Sequence, residues 1–535
     1  MDDSFDYIVV GAGAAGAPLA ERLSADPGRS VLLLEAGPVD SDQAIRVPAA
    51  YLSLFGSPYD WARRTVPQRG LGGREIYWPA GRTLGGSSSV NAMMWVRGFA
   101  QDYDTWERLA GPGWGRRAVT RCFESLEDRE DPLSAGRRTA GGPMPVRMQR
   151  DPNPLTAAFL AACQEVGLSE ASVDGYATAE RGGRTAVTQR EGARFSTADA
   201  FLRPAAGRPN LTVRTGAAAR RVVFAGRRAV GVEYLHDGAL VTSAARAEVV
   251  LCGGAVNTPQ LLKLSGVGPA GELRRFGIEV VANRPEVGRN LADHLVTMRV
   301  VASREPVTLF DAASAREMVR YGRYRRGKLT SNLGEAYTFA RSDPSLALPD
   351  LELLFAPGPY LDEGLTLGDR HAFSVGAVLL QPHSRGEVRL NSPDPADAPV
   401  IDPRYLSDPR GADRAALVAG ARWSERVLSA PALAGYAAHS LQPAAGVTDP
   451  EAVVESCSHS LYHPVATCRM GLDEASVVDP ELRVRGVEGL RIADASVIPH
   501  IIRGHTCAPS IVVGLRAAQL IGSRPARRPE MERAT

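Results

Sequence analysis

The sequence has little cysteine, no excess of charge of one sign and no long apolar run. Its six cysteines are spread over 535 residues without a C-x-x-C pair, which argues against a zinc site or a disulfide framework. The 62 basic and 60 acidic residues leave a net charge of +2, so nucleic acid is not an expected partner. No apolar run approaches the roughly 20 residues that span a bilayer. We therefore expect no bound metal, no nucleic acid and no membrane span.

The composition fits a soluble enzyme of more than one lobe. Hydrophobic residues make up 44% and charged residues 23% of the chain, which is typical of a globular protein. At 57.0 kDa the chain should form two or three lobes. The first six residues are acidic and lead directly into an apolar strand, unlike a secretory signal. These features predict a cytoplasmic enzyme with reduced thiols.

A dinucleotide-binding pattern stands at the start of the chain. A short apolar strand is followed at once by Gly11, Gly13 and Gly16 in a G-x-G-x-x-G arrangement, then by a helix and a second apolar strand that ends at Glu35. The glycines allow a tight turn, close approach of backbone to a pyrophosphate, and packing of helix on strand. The helix N-terminus favours the phosphate charge, and Glu35 is placed to bind a ribose hydroxyl. The complete strand–helix–strand context predicts dinucleotide binding, whereas the glycines alone would also fit an ordinary turn.

Two further segments rich in small residues follow. Residues 81–91 contain two adjacent glycines and three serines, which let main chain lie close to a flat or charged group. Such a segment in isolation could equally be a flexible linker, but apolar residues flank it on both sides. Within 249–268 a strand turns through Gly253 and Gly254 into a helix. This strand–helix connection indicates a doubly wound α/β lobe.

These segments together resemble the glucose–methanol–choline (GMC) flavin oxidoreductases. Stretches that resemble the two family signatures run from Gly81 to about Asp104 and from Gly254 to Gly268. The resemblance covers the whole chain except a basic tail from about Ser523. Other stretches similar to the family lie at 192–196, 286–291, 478–480, 491–496 and 504–506.

The resemblance implies FAD as the cofactor and an α/β fold with two lobes. One is a Rossmann-like, discontinuous FAD-binding lobe, and the other is an α+β substrate-binding lobe whose antiparallel sheet lies over the flavin. Alternating or apolar runs at 350–355 and 373–380 predict two strands of that sheet. The implied limits are FAD-binding parts at 1–160, 205–301 and 457–522, a substrate lobe at 302–456 with a contribution from 161–204, and a disordered tail at 523–535.

The same resemblance assigns residues to the cofactor. Ala219 would meet the adenine through its backbone, and Asp494 with Ala495 would meet the ribityl or pyrophosphate region. The alternative for Asp494 is a solvated turn carboxylate. Val90 stands where some family members attach FAD covalently through histidine, so we expect dissociable FAD. The residues expected at the flavin end are Leu84, Ser88, Asn91, Ala92, Met93 and Met94.

Two of the nine histidines are candidates for proton chemistry. His463 aligns with the catalytic histidine of the family and His505 with a second site that is His or Asn in most members. A histidine that takes the hydroxyl proton relieves the positive charge that would develop on oxygen during hydride loss. We expect His463 to be this base and His505 to orient the hydroxyl. Without the resemblance, a core histidine bonded to a backbone carbonyl is the more frequent case. The other buried-looking histidines, His294, His459 and His500, are expected to be structural.

The sequence thus predicts FAD-dependent oxidation of a primary alcohol to an aldehyde. Electrons would pass to a quinone, to another carrier or to oxygen, and a dehydrogenase is favoured over an oxidase. The alternatives are a hydroxynitrile lyase that keeps FAD as a structural part, a light-driven fatty-acid decarboxylase, and a flavin-bearing scaffold without turnover. The alcohol itself stays open. Candidates for a choline-binding cage are present but no spacing assembles them: Tyr59, Trp61, Trp78 and Glu335.

Overall fold

A computed structural model of the chain describes residues 3–129, 141–170 and 181–522. The predicted tail at 523–535 lies outside the described residues. The strands are β1 (Ser4–Val10), β2 (Val31–Leu34), β3 (Arg63–Arg64), β4 (Tyr77–Trp78), β5 (Glu127–Arg129), β6 (Met144–Met148), β7 (Ser169–Glu170), β8 (Arg181–Arg184), β9 (Ala186–Val187), β10 (Gln189–Arg190), β11 (Ala193–Arg194), β12 (Leu211–Arg214), β13 (Ala218–Ala225), β14 (Arg228–His236), β15 (Ala239–Leu251), β16 (Val267–Gly268), β17 (Ala282–Asn283), β18 (Leu295–Ser303), β19 (Ala336–Ala340), β20 (Leu351–Ala356), β21 (Ala372–Leu379), β22 (Glu387–Arg389), β23 (Val400–Asp402), β24 (Ala437–Gln442), β25 (Ser458–Ser460) and β26 (Leu490–Ile492). The α-helices are α1 (Gly16–Ser24), α2 (Gln43–Arg46), α3 (Ala100–Ala110), α4 (Arg116–Leu126), α5 (Pro154–Glu165), α6 (Arg203–Ala205), α7 (Gly254–Leu264), α8 (Ala270–Arg275), α9 (Ala315–Tyr324), α10 (Ala412–Ser429), α11 (Pro431–Ala434), α12 (Pro450–Cys457) and α13 (Cys507–Gly522).

The first large sheet is the predicted dinucleotide-binding sheet. Its strands follow the order β12-β2-β1-β15-β14-β13, and β26 pairs with β15. The pairs β12–β2, β2–β1, β1–β15 and β15–β26 are parallel. All four residues of β2 are buried, because helices and loops cover both faces of a parallel sheet. The strands therefore come from the start, the middle and the end of the chain, as a discontinuous lobe requires.

Helix α13 packs against the first turn of α1 at the edge of this sheet. A Cβ on Gly514 would lie 2.1 Å from the carbonyl oxygen of Ala15, so only glycine lets the two helices approach so closely. Six apolar residues of α13 between Ala508 and Ala517 are buried against the same core. The last helix of the chain thus closes the glycine-rich loop that begins it.

The second large sheet has the order β24-β18-β21-β20-β19-β8-β7, with β25 paired to β18. Every pair except β7–β8 is antiparallel. Alternate residues of β20 face opposite sides: Leu351, Leu353 and Phe355 pack in the cluster that contains α5 and α10, whereas Leu354 packs in a second cluster. The second cluster also contains Met94 and Tyr462, so this face of the sheet lies toward the predicted flavin and histidine segments.

The predicted fold class, a Rossmann-like lobe with an antiparallel substrate sheet, is confirmed. Strands β20 and β21 occupy the runs predicted at 350–355 and 373–380. Strand pairing assigns β18 and β25 to the second sheet, although the predicted limits place 205–301 and 457–522 in the FAD lobe. Eight of the nine residues of β18 are buried, and a run of that kind suits either sheet, so apolarity alone could not locate this boundary.

Candidate active site

The predicted glycine-rich loop meets the second small-residue segment at close range. Gly11 has φ +107°, and a Cβ there would lie 2.5 Å from the carbonyl oxygen of Cys252. A Cβ on Gly16 would lie 1.9 Å from the Gly11 oxygen, which fixes the start of α1. A Cβ on Gly86 would lie 2.7 Å from the Cα of Gly13. The two segments therefore cross where neither has a side chain, so a ligand bound at this crossing would meet main chain from both.

Glu35 lies at the end of β2, at the carboxyl edge of the parallel sheet. One carboxylate oxygen accepts from the amide of Ala12 at 2.9 Å and the other from the amide of Gly37 at 3.0 Å. Burial raises the pKa of Glu35 to about 7, against these hydrogen bonds, which lower it. The residue is in the predicted place, and its carboxylate shapes the loop that would carry the cofactor.

The segment after Gly81 folds into a tight turn at 86–89. The hydroxyl of Ser88 donates to the carbonyl of Gly85 at 2.6 Å and accepts from the amide of Thr197 at 3.0 Å. Leu84 is half-buried against the core of the first sheet. Ser88 thus stabilises the turn, and what the segment exposes to a ligand is mainly backbone.

The residues that follow the turn reach the second sheet. The side-chain oxygen of Asn91 accepts from the amide of Met93 at 2.9 Å and from Arg194 at 2.9 Å. Met93 has φ +56°, a conformation that a non-glycine residue seldom adopts and that this Asn91 bond supports. Ala92 and Met94 pack in the cluster on the open face of the second sheet. The predicted flavin-end residues therefore lie between the two sheets.

Arg194 is a buried cation without a role predicted from the sequence, although it lies in a family-like stretch. Its guanidinium donates to the carbonyl of Ile45 at 2.8 Å and of Ser88 at 3.2 Å, and burial lowers its pKa to about 9. Its Nη2 atom is buried without a hydrogen-bond partner among the described residues. A cation held only by neutral acceptors beside the predicted flavin segment fits an anionic cofactor.

Asp494 connects its own turn to the start of helix α7 in the first lobe. Its carboxylate accepts from the amide of Gly254 at 2.9 Å, the hydroxyl of Thr258 at 2.6 Å and the amide of Ser496 at 2.8 Å. The side chain is 3% exposed, so it is not a solvated turn carboxylate, and burial raises its pKa. Ala495 follows in a 3-10 turn and is only partly buried. The last of the predicted cofactor residues, Ala219, is half-buried in β13 and paired with Tyr234.

His463 lies three residues after β25, in a loop fixed by a buried carboxylate. The His463 amide donates to Asp293 at 2.8 Å, and Asp293 also accepts from the hydroxyls of Ser460, at 2.6 Å, and Tyr405. The preceding Tyr462 has φ +64°. Burial lowers the pKa of His463 well below its usual range, and two neighbouring histidines lower it further. The ring is therefore neutral at pH 7 and able to accept a proton.

His505 stands next to His463, although 42 residues separate them in the chain. The two ring centroids are 4.9 Å apart and the rings are nearly perpendicular, at 86°. His505 is 6% exposed, and its Nε2 lies 3.1 Å from a carboxylate oxygen of Glu352 on β20. The structure thus brings together both predicted histidines, and it adds Glu352, which the sequence left unassigned within an apolar strand.

His294 is the third histidine at this site. Its Nδ1 lies 2.9 Å from Nδ1 of His463, and its Nε2 lies 3.1 Å from the carbonyl oxygen of Leu380. The sequence predicted a structural role for His294, and no sequence signal marked the contact, because 169 residues separate the two histidines. The other two histidines predicted to be structural, His459 and His500, each contact the backbone carbonyl of the next residue.

Apolar and aromatic side chains surround the three histidines. The hydroxyls of Tyr360 and Tyr462 are 2.7 Å apart. The face of the second sheet toward the site carries Glu352, the partner of His505, beside a large cluster of apolar and aromatic side chains, and this cluster favours a largely apolar ligand. Its buried members are Tyr51, Met94, Val96, Phe99, Val296, Met298, Val300, Leu333, Tyr337, Phe339, Leu354, Ala356, Tyr360, Ala372, Val378 and Leu380.

Neither nearby cysteine has the character of a nucleophile. Burial raises the pKa of Cys507 to about 11 and that of Cys468 further above its usual range. Within the described ranges, no cluster of three or more His, Cys, Asp or Glu residues could hold a metal ion. In the same part of the chain, no helix has the length and apolarity to cross a bilayer.

Comparison with known proteins places this site in a family. A family model described as GMC oxidoreductase matches residues 5–296, and a second one with the same description, for the C-terminal domain, matches residues 382–514. The chain belongs to the GMC oxidoreductase family. This membership confirms the predicted family and the predicted enzyme class, an FAD-dependent oxidoreductase.

Similar GMC oxidoreductases cover nearly the full length of the chain. An uncharacterised GMC-type oxidoreductase of Mycobacterium tuberculosis is 52% identical over 98% of this chain and 100% of its own. An alcohol dehydrogenase [acceptor] of Pseudomonas putida is 41% identical over 97% of this chain and 95% of its own. The crystal structure of pyridoxine 4-oxidase from Mesorbium loti superposes with a TM-score of 0.87 at 31% identity, over 97% of this chain and 100% of that chain.

Proposed function

We propose that this GMC oxidoreductase oxidises an apolar primary alcohol to an aldehyde, with His463 as the base and FAD as the bound electron acceptor. The observation that carries the proposal is the neutral His463 ring 4.9 Å from His505, between the dinucleotide-binding sheet and an apolar sheet face. A neutral imidazole next to a second histidine can remove a hydroxyl proton while the substrate carbon loses a hydride.

The two histidines have different roles in this proposal. The ring of His463 contacts His294 and His505, while the carboxylate of Asp293 accepts its backbone amide, so the ring stays uncharged and can accept the proton. His505 is held by Glu352 and donates or accepts a hydrogen bond that orients the hydroxyl and stabilises the developing alkoxide. When FAD is bound, it supplies the hydride acceptor.

The residues that would hold FAD come from three stretches of the chain. The glycine-rich loop and the start of α1 offer backbone amides to a pyrophosphate. Asp494 fixes the loop around Gly254 and Ser496 beside them, and Ala219 offers its backbone to the adenine. Arg194 supplies a buried positive charge behind the flavin end. The flavin-end residues are Leu84, Ser88, Asn91, Ala92, Met93 and Met94.

We expect the FAD to be dissociable. Val90, at the position where a tether would form, is 5% exposed and packs in an apolar cluster with Ile45 and Leu54. A valine side chain offers no nucleophile for a covalent bond. Precipitation of the purified protein with acid should release the yellow colour into the supernatant, and colour retained in the washed pellet would contradict this expectation.

The surroundings of the site favour an apolar alcohol over a cationic one. Glu335 and Trp78, two of the candidates for a choline cage, are buried and committed to internal hydrogen bonds: Glu335 accepts from the hydroxyls of Thr156 and Ser331, and Trp78 donates to Tyr405. The similar alcohol dehydrogenase [acceptor] of Pseudomonas putida supports an alcohol as the substrate and agrees with the preference for a dehydrogenase.

Anaerobic titration of the purified flavoprotein tests the proposal. An aliphatic primary alcohol, benzyl alcohol and choline are added separately, and the visible flavin band is recorded before and after admission of air. We expect one of the first two to bleach the band and choline to leave it unchanged. Slow recovery of colour in air would indicate a dehydrogenase, and fast recovery an oxidase. A band that no alcohol bleaches would contradict alcohol oxidation and favour the lyase alternative.

A further inference from the structure

We propose that His294 is a positioning residue that holds His463 in the tautomer whose Nε2 carries the free lone pair. The inference rests on the proposed role of His463 as the base. It assigns a task to a histidine that the sequence predicted to be structural.

The hydrogen bonds of His294 fix its own tautomer first. Its Nε2 lies 3.1 Å from the carbonyl oxygen of Leu380, and a carbonyl can only accept a hydrogen bond. Nε2 of His294 must therefore carry the proton. Because a neutral imidazole carries a single N–H, Nδ1 of His294 is left as an acceptor.

The tautomer of His463 follows from that of His294. The two Nδ1 atoms are 2.9 Å apart, and the contact is a hydrogen bond only if one of them donates. Since Nδ1 of His294 is an acceptor, Nδ1 of His463 carries the proton. A neutral His463 then has its lone pair at Nε2, the nitrogen that the bond to His294 leaves free for a hydroxyl proton.

Before a substrate proton is taken up, both His294 and His463 are uncharged near neutral pH. Burial lowers the pKa of His294 to about 3 and that of His463 well below its usual range. A protonated His294 would offer a second donor in place of the acceptor, and that form is not populated near neutrality. The direction of the hydrogen bond between the two rings is thereby set over the whole neutral range.

Asp293 and His294 also fix the backbone of the loop that carries His463. Asp293 accepts the His463 amide at 2.8 Å, and the carbonyl of His294 accepts the amide of Leu461 at 2.8 Å. Both residues directly precede β18, which pairs with β25 just before His463. The dipeptide 293–294 therefore holds the main chain of the His463 loop with one residue and its ring with the other.

Two substitutions at position 294 separate positioning from packing. In His294→Asn the amide oxygen can take the place of Nδ1 as acceptor, whereas His294→Leu fills a similar volume without any acceptor. His500→Leu is the matched control, because His500 also bonds a backbone carbonyl but, in the described part of the chain, forms no hydrogen bond or ring contact with His294 or His463. All three holoproteins are compared with wild type for FAD content, substrate dissociation constant and the rate of anaerobic flavin reduction.

We expect His294→Leu to reduce its flavin about 10- to 1,000-fold more slowly, with FAD content and substrate dissociation constant near wild type. The loss should be smaller than the ~10⁴-fold seen when a triad base is forced into the wrong tautomer, since His463 would only be released to sample both forms. His294→Asn should recover most of the rate, and His500→Leu should reduce its flavin at the wild-type rate. A reduction rate within twofold of wild type for His294→Leu would overturn the inference. So would equal losses in His294→Leu and His294→Asn.

The tautomer of His463 can also be measured directly, without catalytic turnover. Histidine-selective ¹⁵N labelling reports which ring nitrogen of His463 carries the proton, and His463→Ala assigns the signal. We expect a protonated Nδ1 in wild type and in His294→Asn, and a mixture of tautomers in His294→Leu. An unchanged tautomer in His294→Leu would overturn the inference even if every rate fell. Failure of the proposed function is a separate result, because in that case no alcohol reduces the wild-type flavin.

Discussion

The two predicted histidines differ in what surrounds them, and this difference separates their roles at the scale of single residues. Burial beside two other histidines keeps the ring of His463 uncharged, whereas His505 contacts the carboxylate of Glu352. A base must be uncharged before the reaction, while a group that orients a hydroxyl needs a fixed hydrogen-bond direction. Each histidine has the neighbour that its proposed role requires.

Replacing the base should slow chemistry without releasing the cofactor. We expect His463→Ala to slow anaerobic flavin reduction by about 10²–10⁴-fold, the usual value of general-base help. The FAD-to-protein ratio should be unchanged, because the predicted cofactor contacts lie elsewhere. His505→Asn should slow flavin reduction by a smaller factor, since an amide can still orient a hydroxyl. A reduction rate of His463→Ala close to wild type would remove His463 from the base role.

Glu35 should make the stability of the protein depend on pH. Burial raises its pKa from 4.5 to about 7, so the folded state holds this proton more tightly than the unfolded state. Its contribution to stability is therefore present below about pH 4.5 and is lost as pH rises to 7. In melting experiments, the stability of Glu35→Gln relative to wild type should rise over this interval, by at most about 1.4 kcal/mol per pH unit. If the stability of Glu35→Gln relative to wild type stays constant from pH 4 to 8, the raised pKa of Glu35 is contradicted.

Sequence reasoning found residues with a chemical type or motif of their own and missed those defined only by contact. Gly11, His463 and His505 stand in recognisable patterns. His294 and Glu352 do not, because their partners lie 169 and 153 residues away and strand pairing alone brings them together. Neither residue can be read from its local sequence, since a lone histidine or glutamate in an apolar stretch is compatible with many roles.

At the scale of elements, helix α13 determines how tightly the glycine-rich loop is closed. Gly514 is the point of contact, because any side chain there would meet the carbonyl of Ala15. That carbonyl belongs to the loop expected to carry the cofactor. The position of a helix at the end of the chain thus controls a binding loop at its beginning.

Adding a side chain at Gly514 should lower both the stability of the fold and the retention of the cofactor. We expect Gly514→Ala to lower the free energy of unfolding by about 1–3 kcal/mol, as overpacking does, and to reduce the FAD content of the purified protein. Gly522→Ala is the matched control on the same helix, because a Cβ there meets nothing within 4 Å. It should change stability by less than about 1 kcal/mol. Equal melting temperatures for the two variants would show that α13 can shift away without cost.

At the scale of the whole molecule, the first sheet is assembled from strands at residues 4–34, 211–251 and 490–492. The three stretches meet through Asp494 and the glycine contacts. A ligand that touches all three binds only the folded arrangement and is absent from the unfolded chain. Cofactor binding should therefore stabilise the complete fold and not one segment of it.

Added FAD should raise the melting temperature of protein from which the flavin has been removed. For a dissociable cofactor, each tenfold increase in free FAD above the dissociation constant adds about 1.4 kcal/mol to the free energy of unfolding. A thermal-shift series in FAD, with riboflavin as the matched ligand that lacks pyrophosphate and adenine, measures this. We expect a continued rise with FAD and a smaller one with riboflavin. Equal shifts with the two ligands would contradict binding through the dinucleotide part.

Successive side chains of β20 face the lobe core and the active site in turn, so substitutions at the two sets of positions have different consequences. Positions 351, 353 and 355 face the core of the second lobe, so substitutions there are limited by packing. Positions 352 and 354 face the histidines and the apolar surface beside them. A descendant of this enzyme could therefore acquire a new alcohol by changing every second residue of a few strands. The proposed base, the cofactor lobe and most of the stability would be inherited unaltered.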